Sequence, residues 1–107
     1  MRIKEVNENM ILFDNGNSIT FDHEQDCCEQ NYADFEQLDD IARITEFDPN
    51  LDFIPQGDVG FLFGNVPNKM FFVPCYSRQN GYYSTDIAIY YNGELATYLN
   101  CQEDFDG

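Results

Sequence analysis

Two Asn-Gly dipeptides, one near each end of the chain, limit the possible folds more than any other feature. Asn15-Gly16 and Asn92-Gly93 each separate two short β-prone runs. Asn-Gly favours a tight turn because both residues tolerate positive φ, so the pattern predicts hairpins over 10–21 and 86–99. In the second hairpin, the alternation predicts that Ile87, Ile89 and Tyr91 share one face, with Leu95, Thr97 and Leu99 opposite them if the strand register allows it.

One helix is predicted between the hairpins, from about Ala33 to Arg43. Asp34 and Gln37 resemble a capping box, in which two side chains satisfy the first free N–H groups of a helix. Apolar residues then recur at helical spacing, which predicts one buried stripe and one wet side. The stripe comprises Phe35, Leu38, Ile41 and Ala42, and the wet side comprises Glu36, Asp39 and Asp40.

The other segments complete a fold of mixed class. The runs 2–6, 61–63 and 70–73 predict further strands, and the stretch between Pro49 and Pro55 predicts an ordered loop. About six strands, joined mainly by hairpins, and one helix give an α+β fold, in which the helix packs on one face of a mainly antiparallel sheet. The 107 residues suit a single domain, which we place at 1–101, followed by an acidic tail at 102–107.

Charge is distributed unevenly along the chain. Twenty acidic residues face five basic ones, and the formal net charge is −15. Twelve of the carboxylates lie between Asp22 and Asp58, with Arg43 as the only cation there. The aromatic-rich stretch from Val59 to Thr85 contains no carboxylate. We expect one strongly negative surface and one nearly neutral, aromatic surface.

The charge also limits the choice of partner. Duplex DNA and anionic membranes repel such a surface, whereas a basic protein surface, such as a groove that normally holds nucleic acid, attracts it. No secretory signal and no membrane-spanning stretch is visible, and four cysteines without such a signal indicate reduced thiols. These features predict a cytoplasmic protein that binds neither nucleic acid nor membrane directly. They leave the oligomeric state open.

The segment His23-Glu24-Gln25-Asp26-Cys27-Cys28-Glu29 holds the densest chemistry of the chain. His23, Cys27 and Cys28 are weak candidates for metal ligands, because adjacent cysteines in an extended chain point to opposite faces. Catalysis by a Cys–His pair is also open, although the surrounding carboxylates would raise a thiol pKa and oppose activation. The remaining alternative is structural: a buried thiol and a histidine that hydrogen-bonds locally.

A second conspicuous segment is Asn80-Gly81-Tyr82-Tyr83-Ser84. The Asn-Gly pair predicts a turn, after which Tyr82 and Tyr83 enter a strand on opposite faces. One ring would pack inside, and the other would be free to contact a partner. A turn with ordinary sheet packing is the alternative.

Sequence motifs for catalysis are missing. The chain contains no nucleotide-binding loop, nucleophile elbow or zinc-protease motif. Adjacent carboxylates such as Asp39 and Asp40 carry little information in so acidic a chain. The sequence therefore favours a non-enzymatic protein without a cofactor.

The two segments together resemble a family of small acidic proteins of unknown function from phages, prophages and gut and related bacteria. In that family an (H/D)-x-Q-D-C-C-E motif follows an N-terminal hairpin, and a Ser-Asn-Gly-Tyr-Tyr-Ser motif lies near the C-terminal strands; Gln79 replaces its first Ser here. The likeness covers residues 1–92. It implies a mobile-element origin and a fold in which the two motifs meet, with Cys27 or Cys28 near Tyr82 or Tyr83. It implies no activity.

Taken together, these features predict a non-enzymatic acidic binding protein of phage or mobile-element origin. It would occupy a basic, nucleic-acid-binding surface of a host protein, as an anti-defence inhibitor or DNA mimic does. The alternative is a small metal- or thiol-dependent protein centred on the segment with His23, Cys27 and Cys28. The predicted contact residues are Asp22, Glu24, Asp26, Glu29, Glu36, Asp39, Asp40, Tyr82 and Tyr83.

Overall fold

Ten strands form two sheets in the part of the chain that the computed structural model describes, residues 1–22, 30–79 and 86–105. The strands are β1 (Ile3–Val6), β2 (Met10–Phe13), β3 (Ser18–Asp22), β4 (Gln30–Ala33), β5 (Asp52–Gln56), β6 (Gly60–Asn65), β7 (Lys69–Gln79), β8 (Asp86–Tyr91), β9 (Glu94–Asn100) and β10 (Gln102–Phe105). A 3₁₀ turn (Phe35–Gln37) and one helical turn, α1 (Asp40–Arg43), separate β4 from β5. The mainly antiparallel β character and the presence of a helix confirm the predicted class in part.

The first sheet contains both predicted hairpins. Its order is β1-β2-β3-β8-β9, and every neighbouring pair is antiparallel. Asn15-Gly16 lies in the β2–β3 turn, which the backbone N–H of Phe13 closes by donating to Asn17 O over 2.8 Å. Asn92 and Gly93 both have positive φ, 53° and 81°, as the β8–β9 turn requires.

The register of the second hairpin, which the alternation left open, shifts near its turn. Ile87 pairs with Leu99 and Ile89 with Thr97, as the alternation indicates, but the register then shifts. Leu95 pairs with Tyr90 and is 62% exposed. A bulge that adds one residue to a strand turns the following side chains to the other face, and alternation alone does not reveal it.

The second sheet is built around β7. Its order is β10-β7-β6-β5, and β4 also pairs with β7. Because the backbone at 76–78 pairs with both β4 and β10, these two strands lie on opposite edges of β7. Two segments differ from expectation here. β5 lies where the stretch between Pro49 and Pro55 predicted a loop, and β10 runs parallel to β7 where the sequence predicted an acidic tail.

The predicted helix over 33–43 is wrong in extent. Ala33 belongs to β4, where it pairs with Cys75, and Leu38 is extended at φ −60° and ψ 136°, so the helical turns on either side are separate. Asp39 is the N-cap that accepts a backbone hydrogen bond, from Ile41 N over 3.0 Å. The stripe is nevertheless buried at three of its four positions, Ile41 being 60% exposed.

Buried side chains of both sheets, the two turns and the segment before β5 form a single core. Phe61 and Phe63 of β6 are completely buried, whereas Phe72 of β7 is 39% exposed, so the aromatic stretch that was expected to form a neutral surface contributes to the core as well as to the surface. Phe47, which lies outside any helix or strand, is also buried there.

Candidate functional site: an acidic cleft

A cleft of about 450 Å³ opens where the β1–β2 turn approaches β4 and the 3₁₀ turn. Its lining combines carboxylates with aromatic rings. The residues that line it are Glu8, Asn9, Phe21, Tyr32, Ala33, Asp34 and Glu36. They come from three separate stretches of the chain, and therefore only the tertiary fold brings them together.

Local hydrogen bonds hold the two walls of the cleft in place. On one side, Asn7 Oδ1 accepts from the backbone N–H groups of Asn9 and Met10, at 2.8 and 3.0 Å, which fixes the turn that carries Glu8. Asparagine favours such turns because its short side chain can bond the backbone two residues on. On the other side, the N–H of Asp34 donates to Pro74 O over 2.9 Å and extends the β4–β7 pairing by one residue.

Two aromatic rings, those of Phe21 and Tyr32, line the cleft, and each packs on a second ring. The ring of Phe21 packs on the buried Phe35 with 5.8 Å between centroids, and that of Tyr32 packs on Tyr76 at 5.7 Å. Phe21 and Tyr32 are themselves only partly buried, so each leaves some ring surface at the cleft. An aromatic face attracts cations because its π-system carries negative charge above and below the ring.

A short polar chain positions the carboxylate of Asp34. Gln37 Nε2 donates to Asp34 Oδ2 over 2.7 Å and also approaches the Tyr76 hydroxyl at 3.3 Å. The capping-box pair predicted from the sequence thus forms a side-chain contact but does not cap the 3₁₀ turn, because the carboxylate of Asp34 accepts no backbone N–H. This link connects a carboxylate of the cleft to the ring pair beneath it.

The charge of the cleft is not compensated within the described part of the chain. No ion pair between described residues involves Glu8, Asp34 or Glu36. Nearby, Asp40 approaches Arg43 at 3.9 Å, but both side chains are well exposed, so this pair has little effect on the local potential. The cleft therefore offers carboxylates beside aromatic faces, an arrangement suited to a lysine or arginine side chain.

The predicted contact residues fall into two groups. Asp22, Glu36, Asp39 and Asp40 are exposed, and Glu36 lines the cleft. Asp39 also uses its carboxylate to cap α1. The other predicted contact residues lie outside the described residues; they are Glu24, Asp26, Glu29, Tyr82 and Tyr83. The weak metal candidates His23, Cys27 and Cys28 lie outside them as well.

The strand ends that the two motif segments connect lie close together. Asp22, the last residue of β3, pairs with Ala88, and Gln30, the first of β4, pairs with Arg78 near the end of β7. Asn31 Nδ2 also donates to the backbone O of Asp86 over 2.9 Å, which ties the start of β4 to the start of β8. Asn31 is completely buried and accepts a hydrogen bond from the equally buried Ser77.

Sequence reasoning missed Glu8, Tyr32 and Asp34 as members of one site. Glu8 is 24 residues or more from the other two in sequence, and nothing in its surroundings indicates that the first hairpin faces β4. The pattern of apolar and polar residues around Tyr32 does not reveal a strand, because β4 has only four residues and lies next to the predicted helix.

Further observations limit the chemistry available elsewhere. Among residues 1–22, 30–79 and 86–105, no three His, Cys, Asp or Glu side chains are grouped so as to hold a metal ion. Cys75 and Cys101 are buried free thiols. The described helices are a 3₁₀ turn of three residues and an α-helical turn of four, both far too short to cross a bilayer.

Comparison with protein-family models, with curated proteins and with solved structures found no match to this chain. The resemblance carried by the two motifs therefore stays a prediction. The function has to be argued from the site itself.

Proposed function

We propose that this protein is a non-enzymatic binding protein of phage or mobile-element origin that occupies a basic, nucleic-acid-binding surface of a host protein. It would act as an anti-defence inhibitor or DNA mimic does. The observation that supports this proposal best is the acidic cleft, in which Glu8, Asp34 and Glu36 surround aromatic rings without a paired cation among the described residues. The net charge of −15 adds a long-range attraction for any basic partner.

Binding would follow from replacing phosphates with carboxylates. Lysine and arginine side chains that normally contact a nucleic-acid backbone would contact Glu8, Glu36 and Asp40 instead. One cation would enter the cleft and lie against Tyr32 or Phe21, where the ring adds to the attraction of the carboxylates. The remaining contacts are exposed, so they are screened over about 8 Å at physiological ionic strength, and affinity should fall steeply with salt.

The test uses a charge-reversed variant and a control of equal charge. The variant carries Glu8→Lys, Glu36→Lys and Asp40→Lys, which spares Asp39 because that residue caps α1. The control carries Asp52→Lys, Asp58→Lys and Glu94→Lys, which are exposed and do not line the cleft. Both change the net charge by the same amount, so a difference between them reports position rather than total charge.

Wild-type protein is immobilised and used to capture proteins from a host lysate at several salt concentrations, and the captured protein is then purified. We expect the cleft variant to bind that partner at least about tenfold more weakly than wild type, and the control to keep most of the affinity. Saturating wild-type protein should also displace the partner from duplex DNA. Equal binding by both variants, or a partner that still binds DNA, would refute the proposal.

A further inference from the structure

We propose that Cys75 and Cys101 are a thiol pair that closes to a disulfide on exchange with a small disulfide such as oxidised glutathione, and that this bond fastens the two sheets to each other. The inference concerns a modification site rather than a binding surface. It is independent of the acidic cleft and of the function proposed for it.

The position of Cys101 in the topology is the first step of the argument. It is the only residue between β9, which pairs with β8 in the first sheet, and β10, which pairs with β7 in the second. The chain therefore passes from one sheet to the other at this residue. A covalent bond from Cys101 to β7 would hold this crossing closed.

The strand register places the partner next to it. Gln102 is paired with Tyr76, so the preceding residue of each strand, Cys101 and Cys75, are neighbours across the same pairing. Cys75 is completely buried and Cys101 is 2% exposed, and both belong to the common core. Neighbouring strands bring α-carbons to about 4.7–4.9 Å, which lies within the range that a disulfide spans.

The two thiols already interact. The hydrogen bond with Cys101, together with burial, raises the pKa of the Cys75 thiol, so this group stays protonated near neutral pH. Since the thiolate is the attacking species, the pair resists oxidation while β10 remains paired. β10 has only four residues and is an edge strand, paired with β7 among the described strands, and local opening of such a strand gives a disulfide access to the sulfurs.

The exchange is balanced in atoms and electrons. In the opened state, one cysteine thiolate attacks a sulfur of oxidised glutathione, which forms a mixed disulfide and releases one glutathione thiolate. The second cysteine thiolate then attacks the protein sulfur of that mixed disulfide and releases the second glutathione. Two electrons pass from the cysteine sulfurs to glutathione, and the two thiol protons end on the released thiolates.

The experiment uses the full chain with Cys27→Ser and Cys28→Ser, so that only Cys75 and Cys101 remain. After incubation with oxidised glutathione under native conditions, we expect the protein to lose the mass of two hydrogen atoms and to titrate no free thiol. A disulfide that closes a loop of this length should raise the urea midpoint by about 1–2 M. Added dithiothreitol should reverse all three changes.

Matched controls carry Cys75→Ala or Cys101→Ala in the same background. Each keeps one thiol, so glutathione adds at most as a mixed disulfide and the urea midpoint does not rise. Two thiols that stay free in the parent, or a disulfide that only links separate chains, would overturn the proposal.

A peptide map of the wild-type chain serves if the double serine variant does not fold. Trypsin cuts after lysine and arginine, so Cys75 falls in peptide 70–78, Cys101 in 79–107, and Cys27 and Cys28 in 5–43. The proposal requires a disulfide between 70–78 and 79–107. Pairing of either peptide with 5–43 instead would contradict it.

Discussion

Replacing Phe47 with alanine should remove most of the packing between the two sheets at one end of the core. Phe47 lies in the irregular segment between α1 and β5, yet it is only 2% exposed. Its ring lies 6.0 Å from that of Phe13 in β2, 5.9 Å from Phe63 in β6 and 5.7 Å from Phe71 in β7. One side chain thus contacts both sheets.

The magnitude follows from these contacts. Truncating a buried phenylalanine to alanine costs about 3–5 kcal/mol, because transfer free energy is lost and a cavity remains. The upper half of this range is expected, since aromatic pairs add roughly 0.5–1.5 kcal/mol each beyond the buried area. A loss of about 4 kcal/mol is a large part of the 5–15 kcal/mol that typically stabilises a domain.

Urea unfolding followed by far-ultraviolet circular dichroism measures this loss. With a slope of about 2 kcal/mol per molar urea, Phe47→Ala should lower the midpoint by about 2 M. Ile44→Ala is the control, because Ile44 belongs to the same segment and is 75% exposed. A loss under about 1 kcal/mol for Phe47→Ala, or equal losses in the two variants, would show that Phe47 does not join the sheets.

Two other changes test the backbone and the charge network. Gly64→Ala should unfold the protein or cost more than about 2 kcal/mol in the same urea assay. The reason is that Gly64 has φ +144° and an added Cβ would lie 1.8 Å from the backbone O of Lys69. The control Gly57→Ala should cost less, because Gly57 also has positive φ but has open space around it. Hydrogen bonds from the N-terminal ammonium and Arg2 lower the pKa of Glu46. The Glu46 carboxylate therefore stabilises the fold above the ordinary pKa of 4.5, and this stabilisation is lost as the pH falls through the lowered pKa. The gap in urea midpoint between wild type and Glu46→Gln should therefore narrow between neutral pH and about pH 3, and a gap that stays constant would contradict this assignment.

Much of the first sheet could be read from the sequence because its signals are local. Asn15-Gly16 and Asn92-Gly93 specify turns through their own backbone preferences, and the flanking alternation indicates the shared buried face of Ile87 and Ile89 but not the exposure of Leu95 beyond the register shift. The burial of Phe35, Leu38 and Ala42 was also predictable from their spacing, because removing apolar side chains from water is favourable, although Ile41 of the same stripe is 60% exposed.

Of the candidate site, the sequence indicated Glu36 and the acidic character of its surroundings. It did not indicate Glu8, Tyr32 or Asp34, because their proximity depends on how the first hairpin packs beside β4. Long-range packing of this kind leaves no periodic signal in either segment.

The sequence by itself determined the hairpins, the excess of negative charge and part of the core. Only the tertiary structure decided that Ala33 joins a strand, that 52–56 and 102–105 pair with neighbours, and that Cys101 lies at the crossing between sheets. The physical reason is that β6 and β7 offer edges of unsatisfied N–H and C=O groups, and buried backbone groups must find partners. Whichever segments can reach those edges become strands, even where their own residue preferences are weak or favour a helix.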